Sequence, residues 1–432
     1  MSASSEPSAY RQCLDEMYGL RRFGIVLGLD IITQMLAGLG NPQNGFACIH
    51  IAGTNGKGSI ASALANILYQ AGYKTGLYTS PHLLRFNERI RINNAEITDD
   101  AVVEAYRAVK AAHQGEREAT FFEYSTAMAL YTFGRAGVDW AVIETGMGGR
   151  LDATNVITPE IAVISNISME HREYLGRTIS AVAAEKAGII KPGIPVVTGA
   201  RQNSAIARIR EQAAAKSAPF YRLGEHFRVR RRPESGSFTY YGIEHTWPGL
   251  QTRLTGNHQV DNAALVLAAC ELLQKSHGLD FHAVQRGLKT HQWPGRLEMI
   301  ETTPPILIDG AHNLMAARHL GTFLKEQMPE RKITLVIGIL DDKPYASMLR
   351  SILPHCHQAI FTRPEIDRSL PAETLEKAAR PYIATRDVIA DVAEAVSHAC
   401  RHTAPQDLIC IAGSLYVVGE AKQALAAMDP AD

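Results

Sequence analysis

The sequence has little of what marks several protein classes. Its six cysteines are scattered without a CxxC pair, which argues against a disulfide framework and favours reduced thiols. Neither charge is in excess, because 44 basic residues balance 44 acidic ones, so bulk binding to nucleic acid or to a membrane surface is not expected. No apolar run is long enough to span a bilayer, and the first residues lack the segments of a signal peptide. We therefore predict a cytoplasmic protein with neither a nucleic-acid nor a membrane partner.

Apolar, β-rich runs alternate with helical patterns along most of the 432 residues. This alternation predicts parallel βαβ units and a doubly wound sheet. The segment 227–254 departs from the rule, because its residue alternation and the turn at 233–236 predict antiparallel strands on one edge of the sheet. Pro294 and Gly295 then interrupt the pattern before the alternation of strands and helices starts again. We therefore predict two domains, 1–293 and 294–432.

The clearest local motif lies between a predicted strand and a predicted helix. Its residues are Gly53, Thr54, Asn55, Gly56, Lys57, Gly58 and Ser59. Glycines allow backbone N–H groups to turn toward phosphate oxygens, and the helix N-terminus adds positive potential. Lys57 has the reach for β- and γ-phosphates, and the Ser59 hydroxyl can ligate a phosphate-bound Mg²⁺. The spacing differs from the usual GxxxxGK[ST], so a glycine-rich turn that merely caps a helix is the alternative.

Two more loops leave predicted strands at their carboxyl ends, the edge at which open α/β sheets bind ligands. Glu144 ends one strand, so its carboxylate should face the phosphate loop and suits Mg²⁺. Arg150 and Asp152 in the next loop could equally form a structural ion pair that orders the loop, the interpretation that we favour for Asp152. His171 follows another strand. A lone histidine is more often a surface or core residue, but three loops that meet at one edge favour a functional role.

Several short segments follow one another in a specific order. They are GTNGKGS, SPHL, NERI, FFEY, ETGMGGRLDATN, EKAGII, GNHQVDNAA, WPGRLE, DGAHN and GSLYVVGE. The ordered set resembles the folylpolyglutamate synthase/dihydrofolate synthase family, relatives of the Mur ligases, over nearly the whole chain. The resemblance implies a Mur-ligase-like α/β fold, in which an N-terminal P-loop ATPase domain holds a doubly wound, mostly parallel sheet. A smaller C-terminal α/β domain completes it.

The resemblance also implies an activity. The protein would act as a monomer and add L-glutamate to reduced folates, to dihydropteroate or to both. ATP would phosphorylate the substrate carboxylate, and the amine of glutamate would attack the acyl phosphate. One alternative is a Mur-type cell-wall peptide ligase. Such an enzyme needs a separate nucleotide-sugar domain at its N-terminus, and the roughly 45 residues ahead of the phosphate loop are too few for a domain of usual size. The other is a nucleotide-gated binding module that uses the loop as a switch.

Matching the motifs residue by residue implies roles around the phosphates. Ser59, Glu144 and His171 match Mg²⁺ ligands, and Lys57 matches the phosphate lysine. Lys186 matches a lysine that can carry a carbamate, which would ligate a second Mg²⁺. The alternative for Lys186 is an ordinary helix lysine that pairs with the adjacent acid or another one nearby.

The nucleotide and substrate contacts are implied in the same way. The nucleotide contacts are Asn262, Arg296, Asp309 and His312.

On the folate side, His82 and Arg89 are plausible substrate contacts. Arg89 has an alternative, an ion pair with Glu88 or a neighbouring acid on a solvated loop. Phe122, with the aromatic residues beside it, could stack on a pteridine or belong to the core. The sequence also departs from many relatives at Glu170, where they have aspartate; the added methylene alters the loop ahead of His171.

Overall fold

The computed structural model describes residues 8–20, 24–115 and 117–428. The first seven residues, which belong to the segment without signal-peptide features, lie outside these ranges. The chain divides into two compact units. The first comprises Met1–Arg253 and Gln259–Gln292, and the second Leu254–His258 and Trp293–Asp432. The division predicted between 293 and 294 did not foresee the early segment Leu254–His258, which belongs to the second unit.

The first unit is built on an eight-stranded sheet in the order β4-β3-β2-β5-β1-β6-β7-β8. Its strands are β1 (Ala47–Ala52), β2 (Thr75–Tyr78), β3 (Ile90–Ile92), β4 (Ala95–Glu96), β5 (Trp140–Glu144), β6 (Ile161–Ile164), β7 (Val196–Thr198) and β8 (Phe220–Arg222). All neighbouring pairs from β2 to β8 are parallel, which confirms the doubly wound, mostly parallel sheet. Because β1, β5 and β6 lie at its centre, their carboxyl ends are neighbours.

Helices connect and cover these strands. They are α1 (Ala9–Gly19), α2 (Asp30–Gly38), α3 (Lys57–Gln70), α4 (Asp99–Ala112), α5 (Phe121–Ala136), α6 (Arg172–Leu175), α7 (Ile179–Ala187), α8 (Asn203–Ala215), α9 (Asn257–His277) and α10 (Phe281–Thr290). Local signals set their ends. At the start of α5, the Thr120 hydroxyl accepts from the backbone N–H of Glu123, and the Glu123 side chain accepts from the backbone N–H of Thr120, which together make a capping box. Gly137, in the left-handed region, ends the same helix.

Segment 227–254 was predicted to lie on an edge of the main sheet, and that placement is wrong. It forms β9 (Arg228–Arg232), β10 (Ser237–Tyr241) and β11 (Thr246–Leu250), a separate antiparallel sheet. The antiparallel edge of the main sheet is instead the hairpin β3–β4. Its turn residues Asn93 and Asn94 both have positive φ, 51° and 67°, the conformation that tight hairpins require and asparagine tolerates.

The second unit contains a six-stranded sheet in the order β12-β13-β17-β14-β15-β16. Its strands are β12 (Glu298–Ile300), β13 (Ile306–Ile308), β14 (Ile333–Ile337), β15 (Gln358–Phe361), β16 (Thr385–Val388) and β17 (Leu408–Ala412). Its helices are α11 (Leu314–Gln327), α12 (Tyr345–Ile352), α13 (Ala372–Ala379), α14 (Val392–His402) and α15 (Leu415–Met428). Only β12 runs antiparallel to its neighbour, so this unit is the smaller α/β domain that the sequence predicts.

The central strands of both sheets are continuous buried runs, as parallel sheets covered on both faces require. Every residue of β5, β14 and β17 is buried.

All six cysteines are free thiols. Over the residues that the structure describes, no helix is both long and apolar enough to cross a bilayer.

Candidate active site

The phosphate loop is closely packed where it joins β1 to α3. Gly53 has φ 141° and Gly56 has φ 85°, a region that side chains disfavour. A Cβ atom on Gly53 would lie 1.8 Å from Ser165 Oγ, and one on Gly56 would lie 2.6 Å from Asn262 Oδ1. The loop therefore needs glycine at both positions, and the same packing brings the predicted nucleotide contact Asn262 beside it.

A neighbouring loop holds this turn in shape. Asn166, just after β6, accepts from Asn55 N at 3.1 Å and donates to Asn55 O at 2.8 Å. The Ser165 hydroxyl donates to the same carbonyl at 2.7 Å. The sequence analysis missed both supporting residues. Their position directly after a buried strand, at the edge where ligands bind, was the available signal.

Lys57 and Ser59 occupy the first turn of α3. Lys57 Nζ donates to Gly53 O at 3.1 Å and lies 4.0 Å from Glu144 Oε1. The Ser59 hydroxyl is buried and has no hydrogen-bond partner in the described part of the chain. An unpaired buried hydroxyl is costly, so it is a group whose partner a ligand would supply. The lysine and the carboxylate thus lie close together, as the strand ends predict.

Glu144 is the last residue of β5 and is buried. Its Oε2 atom accepts from Ser80 N at 3.3 Å, so the carboxylate also reaches the SPHL segment. No cluster of three or more His, Cys, Asp or Glu side chains able to hold a metal occurs among the described residues. The oxygen groups that the first unit offers here are the Glu144 carboxylate and the orphaned Ser59 hydroxyl, both hard ligands of the kind that suits Mg²⁺.

Lys186 is fully buried on α7, and its partner is Glu170 rather than the adjacent Glu185. Lys186 Nζ donates to Glu170 Oε1 at 2.5 Å and to Gly53 O at 2.9 Å. Glu170 also accepts from the Thr54 hydroxyl at 3.1 Å. Burial alone would raise the pKa of Glu170, but the positive charge of Lys186 lowers it to about 2. Burial lowers the pKa of Lys186, and Glu170 opposes that shift.

The predicted ion pair between Arg150 and Asp152 is not formed. Arg150 pairs with Glu185 on α7 at 3.0 Å. Asp152 is buried and accepts from the backbone N–H of Met147 at 2.8 Å and of Thr154 at 3.1 Å. Asp152 therefore has a structural role, but through hydrogen bonds and not through an ion pair, because the N–H groups of its own loop can satisfy a buried carboxylate. Burial raises the pKa of Asp152, and these hydrogen bonds oppose the rise.

His171 lies in the loop after β6, at the carboxyl edge of the sheet where the phosphate loop and Glu144 also lie. It is exposed, has φ 41° and precedes the short helix α6. A positive φ in a residue other than glycine is uncommon and marks a constrained backbone. The structure thus brings His171 to the predicted edge, and its role as a metal ligand stays a prediction.

On the side of the SPHL and NERI segments, Arg89 is buried and does not lie on a solvated loop. Its Nε atom donates to His82 Nδ1 at 2.8 Å, and its guanidinium lies 5.0 Å from the centre of the Phe121 ring. Glu88, the alternative partner, instead accepts from the backbone N–H of Leu83 at 2.8 Å. The predicted substrate contacts His82 and Arg89 are therefore one hydrogen-bonded pair beside an aromatic ring.

Phe122 is half-buried and packs under the loop that follows Glu144. A Cβ atom on Gly146 would lie 2.4 Å from the Phe122 ring. Tyr124, in contrast, is buried in the core of the first unit with Phe133 and Met128. Of the two interpretations of the aromatic cluster, the core therefore applies to Tyr124. Phe122 packs against the same core from a partly buried position, and its role as a substrate contact stays a prediction.

The second unit gathers its predicted nucleotide residues around the end of β13. Asp309 is buried and accepts from Leu297 N at 2.9 Å; burial raises its pKa and Arg296 opposes the shift. Arg296 Nη1 donates to Gly295 O at 3.0 Å, and His312 Nδ1 lies 2.8 Å from Gly310 O. Arg296 and Asp309 therefore lie near each other, and His312 follows on the loop after β13; these three residues are called the polar cluster.

A histidine near this cluster escaped the sequence analysis. The ring of His258, in the early segment of the second unit, lies 4.8 Å from that of His319. Burial lowers the pKa of His258 to about 3, with smaller contributions from His319 and Arg296. The GNHQ segment alone gave no sign of this contact, because it joins residues far apart in the chain.

Comparison with known proteins accounts for nearly the whole chain. Residues 51–270 match the Mur ligase middle domain, and residues 295–415 match the Mur ligase glutamate ligase domain. The chain is 35% identical to a dihydrofolate synthase/folylpolyglutamate synthase of Bacillus subtilis, over 97% of this chain and 99% of that protein. It is 38% identical to a folylpolyglutamate synthase of Lacticaseibacillus casei, over 91% and 93%. The structure of Escherichia coli FolC in complex with DHPP and ADP superposes with a TM-score of 0.90 at 29% identity, covering 98% of this chain and 99% of that one.

Proposed function

Because the chain belongs to the folylpolyglutamate synthase/dihydrofolate synthase family of Mur ligases, we propose that it joins L-glutamate to a folate-type carboxylate with ATP. The substrate is a reduced folate, dihydropteroate or both. The observation that carries this proposal is the phosphate loop, in which Lys57 Nζ lies 4.0 Å from the buried carboxylate of Glu144 and the nearby Ser59 hydroxyl has no hydrogen-bond partner among the described residues. The Mur-type cell-wall alternative is not favoured, because relatives that match nearly the full chain are named as folate enzymes.

The nucleotide side of the proposal uses residues of both units. In the first, the loop from Gly53 to Ser59 binds phosphates through its backbone N–H groups and Lys57, and Asn262 contacts the adenine. In the second, Arg296, Asp309 and His312 are the residues assigned to nucleotide contact. The solved relative from Escherichia coli contains ADP, which supports ATP as the cofactor here.

The residues present fit magnesium. Ser59, Glu144 and His171 would hold one ion, and a carbamate on Lys186 would hold a second. Bound Mg²⁺ neutralises negative charge on the phosphate oxygens. The carbamate requires a neutral amine, and burial of Lys186 favours that form by lowering its pKa. Glu170, which now accepts from Lys186, must release it before the amine can react.

The chain's own residues then serve two displacements. In the first, a substrate carboxylate oxygen attacks the γ-phosphorus and ADP leaves. In the second, the amine nitrogen of glutamate attacks the acyl carbon and phosphate leaves, with loss of one amine proton. Lys57 orients the transferring phosphoryl group and offsets its charge. His82, Arg89 and Phe122 hold the folate end, so that the carboxylate reaches the loop in the required orientation.

A ligation assay with parallel substrates tests this function. Wild-type protein is incubated with ATP, Mg²⁺ and L-glutamate together with dihydropteroate in one series and tetrahydrofolate in the other. We expect ADP and phosphate release that requires both glutamate and at least one pterin substrate, and a product heavier by one glutamyl unit by mass spectrometry. Lys57→Ala provides the inactive blank. ATP turnover independent of glutamate, or nucleotide binding without turnover, would contradict the proposal and favour the binding module. A cytoplasmic location and a monomeric state stay predictions.

A further inference from the structure

A buried histidine lies behind the phosphate loop and has none of the roles described so far. His50 occupies β1, two residues before the strand ends at Ala52, and its side chain is completely buried. Its Nε2 atom lies 2.8 Å from the Thr154 hydroxyl, whereas Nδ1 has no hydrogen-bond partner within the described ranges. Burial lowers the pKa of His50 to about 3, so the ring is neutral near pH 7.

The available donors fix the direction of the hydrogen bonds. The Thr154 hydroxyl donates its single proton to Asp152 Oδ1 at 2.5 Å, so the same oxygen can only accept from His50. The proton of the neutral imidazole is therefore on Nε2. Asp152 also accepts from Met147 N at 2.8 Å. A chain of hydrogen bonds thus runs from His50 through Thr154 to Asp152, and Asp152 in turn holds the loop after Glu144 by accepting from Met147 N.

That loop lies between two parts of the candidate site. On one side, a Cβ atom on Gly146 would meet the Phe122 ring at 2.4 Å; on the other, a Cβ atom on Gly149 would lie 2.9 Å from Glu185 O of α7. Helix α7 carries Lys186. Because both contacts are already closely packed, a shift of the loop would displace the groups on either side.

We propose that His50 is a positioning residue for the ligation reaction, which through the Thr154 hydroxyl fixes Asp152 and with it the loop from Glu144 to Asn155. The inference rests on the proposed function, because its main readout is the rate of glutamate ligation. A hydroxyl that accepts from His50 is a stronger and better-oriented donor to Asp152. His50 does not touch the substrate, and it acts through the loop alone.

Two pairs of variants test the proposal. His50→Gln keeps an N–H donor close to the position of Nε2, and His50→Met removes it; Thr154→Ser keeps the hydroxyl, and Thr154→Val removes it. We expect the Met and Val variants to lower kcat/KM for the pterin substrate roughly 10-fold, while the Gln and Ser variants keep most of the wild-type value. The double variant His50→Met/Thr154→Val should be no slower than the slower single variant, because both changes break the same chain. The Kd of ATP should stay unchanged in all of them.

A matched control separates positioning from general stability. Ile49→Val alters a neighbouring buried residue of β1 that takes no part in the hydrogen-bond chain. We expect this variant to lower Tm and keep kcat/KM. Activity losses that follow Tm equally in all variants, additive losses in the double variant, or a His50→Met variant as active as wild type would overturn the proposal.

A second readout does not depend on ligation. Hydrogen–deuterium exchange at the amides of Met147 and Thr154 should be faster in Thr154→Val than in Thr154→Ser or Ile49→Val. If the wild-type protein ligates no glutamate, the proposed function is wrong and this exchange comparison alone decides the inference. Equal exchange in the three variants would contradict it.

Discussion

Two glutamates in the first unit, Glu271 buried and Glu170 partly buried, are held in opposite ways. Glu271, on α9, accepts almost entirely from a hairpin turn: from Ile243 N at 2.8 Å, Glu244 N at 2.7 Å and His245 N at 2.6 Å. The Tyr240 hydroxyl adds a further donor at 2.8 Å. All four are uncharged and fixed by the fold. Glu271 therefore ties the separate sheet β9–β11 to the helix.

Glu170 depends instead on one ammonium group and one hydroxyl. Lys186 and Thr54 are its donors, and Lys57 adds a further positive charge nearby. The two environments differ in the kind of donor that holds the carboxylate, and this difference indicates different roles. Backbone N–H donors are fixed in place by the chain, so a carboxylate that they hold serves the fold. A lysine side chain can leave one carboxylate and pair with another anion, such as a ligand. A buried charge that depends on side-chain partners is thus the better indicator of a ligand site.

The largest expected effect concerns the charges that face the phosphates. Lys57→Ala and Glu144→Gln should each lower kcat for ligation by about 10²–10³ or more, because each removes a charge beside the transferring phosphoryl group. Circular dichroism and Tm should show an intact fold. The surface variant Lys275→Ala, which alters an exposed pair with Glu244, is the control and should keep its activity. Near-normal kcat in either site variant would mean that the assigned site is wrong.

Lys186→Ala tests the other half of the comparison, the lysine that can leave Glu170 and take another partner. We expect a loss of roughly 10² in kcat, because a methyl group cannot supply the anionic oxygens of a carbamate. A short-chain carboxylic acid should partly restore the rate by occupying the space of the missing side chain. The same acid added to Lys57→Ala should restore nothing. Wild-type activity in Lys186→Ala without the acid would reject the carbamate.

Local chemistry explains which parts of the site could be predicted. The phosphate loop is contiguous, so glycine spacing, Lys57 and Ser59 are visible together, and Glu144 follows from the end of a buried strand. The partner of Lys186 was not visible, because successive helix residues point to different faces and Glu170 lies sixteen positions away. The burial of Arg89 was not visible for a similar reason, since only its packing against Phe121 reveals it.

The fold shows the same limit. Alternation and turn residues correctly predicted antiparallel strands in 227–254, but they do not state which sheet the strands join, because pairing depends on distant partners. The edge hairpin β3–β4 has a local signal of its own in the pair Asn93 and Asn94, which favours a tight turn. Glu271 contributes the buried carboxylate to the attachment of β9–β11, beside the pair of Arg231 with Asp261 and the contact of Trp247 with Phe281. No local pattern distinguishes Glu271 from the exposed glutamates around it.

Glu271→Gln should test the structural side of the comparison. The amide cannot accept from all the donors around it, and its own N–H groups would face some of them. We expect the free energy of unfolding to fall by about 2–3 kcal/mol, measured by urea denaturation, while ligation by the folded enzyme stays near normal. Glu244→Gln, which removes the exposed partner of Lys275, should change it by less than about 1 kcal/mol. Equal effects of the two variants would contradict the role of Glu271.

Arg296 extends the comparison to the second unit, where a buried carboxylate has an arginine nearby. Arg296→Ala should raise KM for ATP roughly 10-fold, because a guanidinium that contacts phosphate contributes one or two charge-assisted hydrogen bonds. Since Asp309 is also held by Leu297 N, Tm should change little. Arg296→Lys keeps the positive charge but loses the paired N–H donors of the guanidinium, so its KM for ATP should lie between those of the wild type and Arg296→Ala. ATP kinetics equal to wild type would make Arg296 a surface residue of the loop.

The smallest effect concerns acid. Burial alone would raise the pKa of Glu271, but the donors of the hairpin outweigh it and hold the pKa below its usual value. A group whose pKa is lower in the folded state stabilises the protein above its unfolded pKa, about 4.3 for glutamate, and loses that contribution as the pH falls through the folded value. The stability difference between wild type and Glu271→Gln should therefore stay constant from pH 7 to about pH 5 and shrink below about pH 4. Urea denaturation across this range measures it, and a difference that persists undiminished into acid would show that Glu271 contributes through packing and not through its charge.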